Sequence, residues 1–201
     1  MRIMGVDPSI TCTGVSLPDA TTMAIKPRSS GDDRLREIAD HLHVAAVGCG
    51  AELVVMEGLF GVYKGEAARV IPMLHGALRL ELQRLPVPYV VLNPKTLKRF
   101  ATGDGNADKA KMAQAARVHL GRAYGTSDEC DADWCRIAGR TVYGRPEVTD
   151  HPGPAMAMDR ILSLPQEQVS ALRSGLKGQP VEWPVVGRHV PWPRVALRTT
   201  S

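Results

Sequence analysis

Aromatic residues are scarce in this chain: they make up 4% of its 201 residues, with only two Phe, Phe60 and Phe100. Any core must therefore be built from aliphatic side chains. Long apolar runs are missing too. None approaches the roughly 20 residues a membrane-spanning helix needs, and the opening MRIMGVDPS has neither the apolar stretch nor the cleavage site of a secretory signal. These absences predict a soluble, cytoplasmic protein with no membrane partner. The four cysteines, Cys12, Cys49, Cys130 and Cys135, lack any paired C-x-x-C spacing. That pattern supports neither a zinc site nor a disulfide framework, and reads as reduced thiols filling small spaces. The length is too short for a two-lobed enzyme of the large α/β kind.

Apolar residues are plentiful at 44%, enough to bury a core and to exclude a disordered chain. The net charge is +4, and its distribution says more than its size. Residues 86–123 carry Lys95, Lys98, Arg99, Lys109, Lys111, Arg117 and Arg122 against only Asp104 and Asp108. More than the whole excess sits in that stretch, which suits contact with phosphates.

Short apolar runs at 2–7, 13–17 and 22–25, broken by Pro8, Ser9 and Gly14, predict a strand meander. Leu35, Ile38, Ala39, Leu42 and Ala46 recur at helical spacing. Leu53 to Met56, ending in Glu57, and Tyr89 to Leu92 are continuous apolar runs, as strands covered on both faces require. Residues 64–84 read as a helix that Pro72 should start or kink. A basic loop is expected after Leu92, then helices from about Ala107 to Leu120 and from about Asp128 to Val142. A meander followed by α/β crossovers predicts an α/β fold, a mixed sheet with helices on its faces. From residue 143 the composition changes: eight of the fifteen prolines and two of the three Trp lie there. We therefore divide the chain into a domain at 1–142 and a Pro/Trp-rich extension at 143–201, read as an extended strap docking Trp183 and Trp192 on the core or on a partner, with a mobile tail as the alternative.

Carboxylates supply the functional signal. Asp7 and Glu57 each end an apolar strand, where an unpaired charge is costly. On the last helix, stepping about 100° per residue, Cys130, Trp134, Ile137, Ala138, Thr141 and Val142 form a buried stripe. Glu129, Asp133, Arg136 and Arg140 fall on another arc, expected to be an exposed face with internal ion pairs. Asp131 lies inside the buried arc and Asp128 at its margin. Ala132, Cys135, Ala138 and Gly139 are small, which would let this helix approach the sheet closely. Three elements thus bring Asp7, Glu57, Asp128 and Asp131 together, an all-oxygen donor set suited to Mg²⁺ or Mn²⁺. Two such ions ~4 Å apart can activate a water and stabilise the leaving oxygen of a phosphodiester.

These residues resemble the RuvC-like Holliday junction resolvases, over about residues 1–142. Gly5-Val6-Asp7-Pro8-Ser9 with Thr13-Gly14 resembles the first family motif, and Val55-Met56-Glu57-Gly58-Leu59-Phe60 the second. Thr102 to Lys109 is similar to the glycine-rich, lysine-ending segment, and Asp128-Glu129-Cys130-Asp131-Ala132 to the final acidic helix. The resemblance implies a ribonuclease H-like fold with a mixed five-stranded sheet, and a homodimer making paired nicks in four-way DNA junctions. It implies two Mg²⁺ per site, Mn²⁺ substituting, on Asp7, Glu57, Asp128 and Asp131. Lys98 and Lys109 match family lysines near the scissile phosphate, with Lys109 in the first turn of its helix. Phe60 would stack on an unpaired base, and Lys95, Arg99 and Lys111 would contact DNA phosphates. Forks and flaps are further branched substrates to consider. The long tail is more similar to phage-encoded relatives, acting in the cytoplasm of a bacterial host. The dimer surface is expected on the helix after Glu57.

Three rival readings remain. Gly5 to Thr11 also resembles the first phosphate loop of sugar kinases and actin-like ATPases, but 201 residues cannot supply their two lobes. A metal-free junction-binding protein is the non-enzymatic alternative, disfavoured by the presence of all four acids. Among nucleases, a flap endonuclease with weak four-way activity is the nearer rival.

Overall fold

The structure is a computed structural model that describes residues 1–59, 64–85, 87–142 and Glu147. Phe60 and nearly all of the proposed extension, with Trp183 and Trp192, lie outside the described residues. Five strands form one sheet in the order β3-β2-β1-β4-β5: β1 Ile3–Asp7, β2 Thr13–Ser16, β3 Thr22–Ile25, β4 Leu53–Glu57 and β5 Tyr89–Leu92. The first three run as an antiparallel meander, while β1, β4 and β5 are parallel. This is the mixed sheet expected. Its helices are α1 Gly31–Gly48, α2 Ala67–Arg84, α3 Pro94–Thr102, α4 Lys109–Leu120 and α5 Ser127–Val142. No helix among the described residues is long and apolar enough to cross a membrane.

Successive strand residues face opposite sides of the sheet, and each side has its own core. Met4, Val6, Val15, Val54 and Met56 pack beneath α1 and α2. Ile3, Leu53, Val55, Val90 and Leu92 pack against α3, α4 and α5. Coverage on both faces explains why β1 and β4 are apolar without alternation. An aromatic contact joins α3 to α5: Phe100 meets Trp134 edge-on, centroids 6.0 Å apart.

Two expectations are corrected here. The basic loop after β5 is in large part the helix α3. Asn93 caps it by accepting from the Lys95 N–H at 2.9 Å, Pro94 takes the first helical position, and Gly103 ends it in the left-handed region at φ 81°. Pro72 lies five residues inside α2 rather than at its start. The second correction concerns α5. Asp133 and Arg136 are fully buried rather than exposed. The helix sinks so far onto β1 and β2 that these two charges are covered and find partners inside, while Glu129 and Arg140 stay half-buried. Burial alone would raise the Asp133 pKa, but the Arg136 charge and hydrogen bonds from Ser16 and Tyr124 hold it below the usual carboxylate range.

Glycine makes that depth possible. A Cβ on Gly5 would lie 1.9 Å from the Ala132 carbonyl oxygen, and one on Gly14 2.0 Å from that of Asp128. Helix backbone therefore rests directly on strand backbone. Toward the other end, Gly139 of α5 sits over Ile3 and Val55. The helix runs antiparallel to β1, so its acidic first turns lie at the carboxyl ends of the central strands.

Candidate metal centre and nucleic-acid interface

Because β1 and β4 are parallel and in register from Ile3–Leu53 to Val6–Met56, Asp7 and Glu57 end side by side. Carboxyl ends of strands in open α/β sheets are where ligands gather. Helix α5, set down on Gly14 and Gly5, adds Asp131. Oxygens of Asp7, Glu57 and Asp131 all lie within 4.8 Å of one another. Asp128, one turn earlier, is not part of that tight group, although its charge acts on all three. Three of the four sequence-selected acids thus meet, with the fourth beside them.

Protonation of the cluster reports its strain. Asp7 is 8% exposed, and its pKa is raised well above the usual carboxylate value by burial first and then by the Glu57 charge. Burial likewise raises Glu57. Asp131 is pushed up to about 7, by burial and then by Glu57 and Asp128. Without a cation these acids resist ionising together, since like charges this close repel. The Asp131 Oδ1 atom is buried and has no hydrogen-bond partner. An orphaned acceptor amid carboxylates, with no His or Cys in the group, fits a hard divalent cation.

The predicted cations divide. Lys98 on α3 and Lys109 on α4 act electrostatically on both Glu57 and Asp131, lowering their pKa values against the burial. Lys109 donates from Nζ to the Ser127 hydroxyl at 2.9 Å. Lys111 pairs instead with Asp104 at 3.2 Å. Lys95 and Arg99 are exposed on α3, with Arg99 near Asp104. Beside Asp131 opens a cavity of about 200 Å³, with Lys109, Arg117, Tyr124 and Ser127 among its lining residues. The cysteines are unpaired; Cys130 and Cys135 are buried, Cys12 and Cys49 half-buried.

Sequence reasoning missed Ser127, Tyr124 and Arg122. A signal for the first was present: Thr126-Ser127-Asp128-Glu129 is a capping box. The Thr126 hydroxyl accepts from the Glu129 N–H at 3.1 Å and lies 3.0 Å from its carboxylate. That cap fixes where α5 begins, and so where Asp128 and Asp131 fall.

No family model matches the chain. Curated relatives do. The crossover junction endodeoxyribonuclease RuvC of Nocardia farcinica is 30% identical over 132 residues, covering 60% of this chain and 70% of the relative. The enzyme of the same name from Gloeobacter violaceus is 28% identical over 132 residues, covering 60% and 76%. Among solved structures, Thermus thermophilus RuvC superposes with a TM-score of 0.58 at 22% identity, over 74% of this chain and 100% of that one. The same protein in complex with a Holliday junction substrate gives 0.58 at 23% identity, over 68% and 90%. The structural likeness establishes the ribonuclease H-like fold, and the sequence likeness establishes kinship: the chain belongs to the RuvC family of crossover junction endodeoxyribonucleases.

Proposed function

We propose that this protein is a structure-selective endodeoxyribonuclease that cuts four-way DNA junctions and related branched DNA as a homodimer. One observation carries the reading: three carboxylates from β1, β4 and α5 meet within 4.8 Å at the carboxyl edge of the sheet, one with an orphaned buried oxygen. Asp7, Glu57 and Asp131 are the ligands for Mg²⁺, with Asp128 completing the set; Mn²⁺ would substitute. When bound, two such ions supply an activated water and neutralise the departing 3′ oxygen. Lys109, held by Ser127, places an ammonium where charge develops on the phosphate, and Lys98 adds a second cation on the same side. Lys95, Arg99 and Lys111 would track the backbone, binding by charge and shape rather than by sequence. Phe60, two residues beyond Gly58, is assigned to stacking on an unpaired base at the crossover. Met73 and Leu80, exposed on α2, support that helix as the dimer surface. Residues 1–142 would be the nuclease domain and 143–201 an appended segment.

The decisive experiment is cleavage of four-way, three-way, fork and flap DNAs with and without Mg²⁺, wild type beside Asp131→Asn. Symmetric paired nicks in four-way junctions, lost in Asp131→Asn while binding persists, are expected, since paired nicks require a two-fold dimer. Flap cutting alone would favour the flap endonuclease reading. ATP turnover without DNA cleavage would overturn the assignment.

A further inference from the structure

Asp133 is a carboxylate with no exposed surface, two residues past Asp131, and its hydrogen-bond partners all lie outside the acidic cluster. Four donors converge on it. Its Oδ1 accepts from the Ser16 hydroxyl at 2.6 Å and Arg136 Nε at 2.8 Å. Its Oδ2 accepts from Arg122 Nη1 at 2.7 Å and the Tyr124 hydroxyl at 2.6 Å. Arg136 continues the network into Glu147, which also takes Arg140 at 2.7 Å.

The network is not the cheapest way to stabilise this spot. Replacing a buried ion pair by apolar residues of similar volume is often neutral or favourable. A fully satisfied polar hub gives what apolar packing does not, a fixed direction for each partner. The partners show what is being directed. Arg122 and Tyr124 belong to the connection from α4 to α5, residues 121–126, which starts at Gly121 in the left-handed region (φ 63°) and ends at the capping Thr126. Ser127 follows immediately, and its hydroxyl holds the Lys109 ammonium. Lys109 in turn acts on Glu57 and Asp131.

We propose that Asp133 is a positioning residue of the nuclease site: by gripping Arg122 and Tyr124 it fixes the α4–α5 connection, and so sets where Ser127 holds Lys109 over the acidic cluster. This rests on the nuclease reading above for the role of Lys109. Asp133 touches no substrate and acts only through that connection.

The test uses the full chain, with Asp133→Asn, which keeps the shape and removes the charge, and Tyr124→Phe, which deletes one donor and should fold even where Asp133→Asn does not. Lysine amines are ¹³C-dimethylated and the Lys109 resonance is identified by its absence from Lys109→Arg. In both variants that resonance moves toward the position of freely exposed lysines, as it does in Ser127→Ala. Single-turnover cleavage of a four-way junction at saturating Mg²⁺ falls roughly 10- to 100-fold in Asp133→Asn, the scale of an ångström-sized misplacement, with junction binding retained. Neither substitution lowers cleavage further when added to Lys109→Ala. An unmoved Lys109 resonance in both variants, or losses that multiply those of Lys109→Ala, overturns the proposal and leaves Asp133 a stability element. Should wild type cut no branched DNA, the nuclease reading falls, while the Lys109 resonance still decides whether Asp133 positions it.

Discussion

Gly14→Ala puts the positioning of α5 to a direct test. The added methyl would sit 2.0 Å from the Asp128 carbonyl oxygen, 2.2 Å from its carbon and 2.7 Å from the Glu129 nitrogen. All three are backbone atoms, so no side chain can swing aside. Ordinary contact begins near ~3.4 Å, so strand and helix must part by somewhat more than ~1 Å, a displacement that can cost on the order of 10²-fold in rate. Overpacking should also cost about 1–3 kcal/mol in stability. Gly139→Ala is the matched control on the same helix. Its methyl would meet side-chain methyls rather than backbone, Val55 Cγ2 at 2.8 Å and Ile3 Cγ2 at 3.1 Å, toward the opposite end of α5 from Asp128 and Asp131. Both variants should lose several degrees in thermal unfolding. Only Gly14→Ala should lose about 100-fold in single-turnover junction cleavage and most of its stabilisation by Mg²⁺. Wild-type cleavage by Gly14→Ala, or equal loss in Gly139→Ala at matched stability, would refute the claim that backbone contact sets the site.

Asp131 is pushed up to about 7 in the folded chain, above its ordinary value. The folded state therefore binds the extra proton, and metal-free stability falls as pH rises from about 4 through 7. Asp131→Asn should reduce this slope, leaving the part carried by Asp7 and Glu57, and raise metal-free Tm at pH 8, while abolishing the Tm gain that Mg²⁺ gives wild type; a lower Tm would contradict the repulsion. His75 has the opposite sign. Buried on α2 and next to Arg79, its pKa is lowered to about 4, by burial first, so stability falls as pH drops from about 6.5 through 4. The Tm difference between His75→Leu and wild type should widen in the variant's favour across that window, and a constant difference would show that His75 does not titrate there. Lys95→Ala should weaken junction binding at low salt and reduce the slope of log K against log salt by about one. An unchanged slope would remove Lys95 from the DNA contacts.

Strands were the most legible part of the sequence because β1, β4 and β5 are covered on both faces, leaving apolar runs that end where the chemistry begins. Asp131 was legible for the same reason, as an acid inside an otherwise apolar helical arc. Helix α3 was not: Pro94–Thr102 is short and carries Lys95, Lys98 and Arg99, so its apolar residues do not dominate. The markers that define it, Asn93, Pro94 and Gly103, act through capping rather than periodicity. Asp133 and Arg136 were misplaced because a helical wheel gives an angle and not a depth. How far α5 sinks depends on Gly5 and Gly14, more than 110 positions upstream, and on partners as distant in sequence as Ser16.

The sheet separates two cores, and every element that brings a functional side chain to the acidic edge from outside the sheet belongs to one of them. The layer of α1 and α2 packs on the opposite face of the sheet from α3, α4 and α5. The outer surface of α1, where Val44 and Val47 are exposed, is therefore the place to graft a fluorophore, attach a surface tether or introduce thermostabilising changes while leaving the catalytic edge's geometry to the opposite layer and α2 to the proposed dimer.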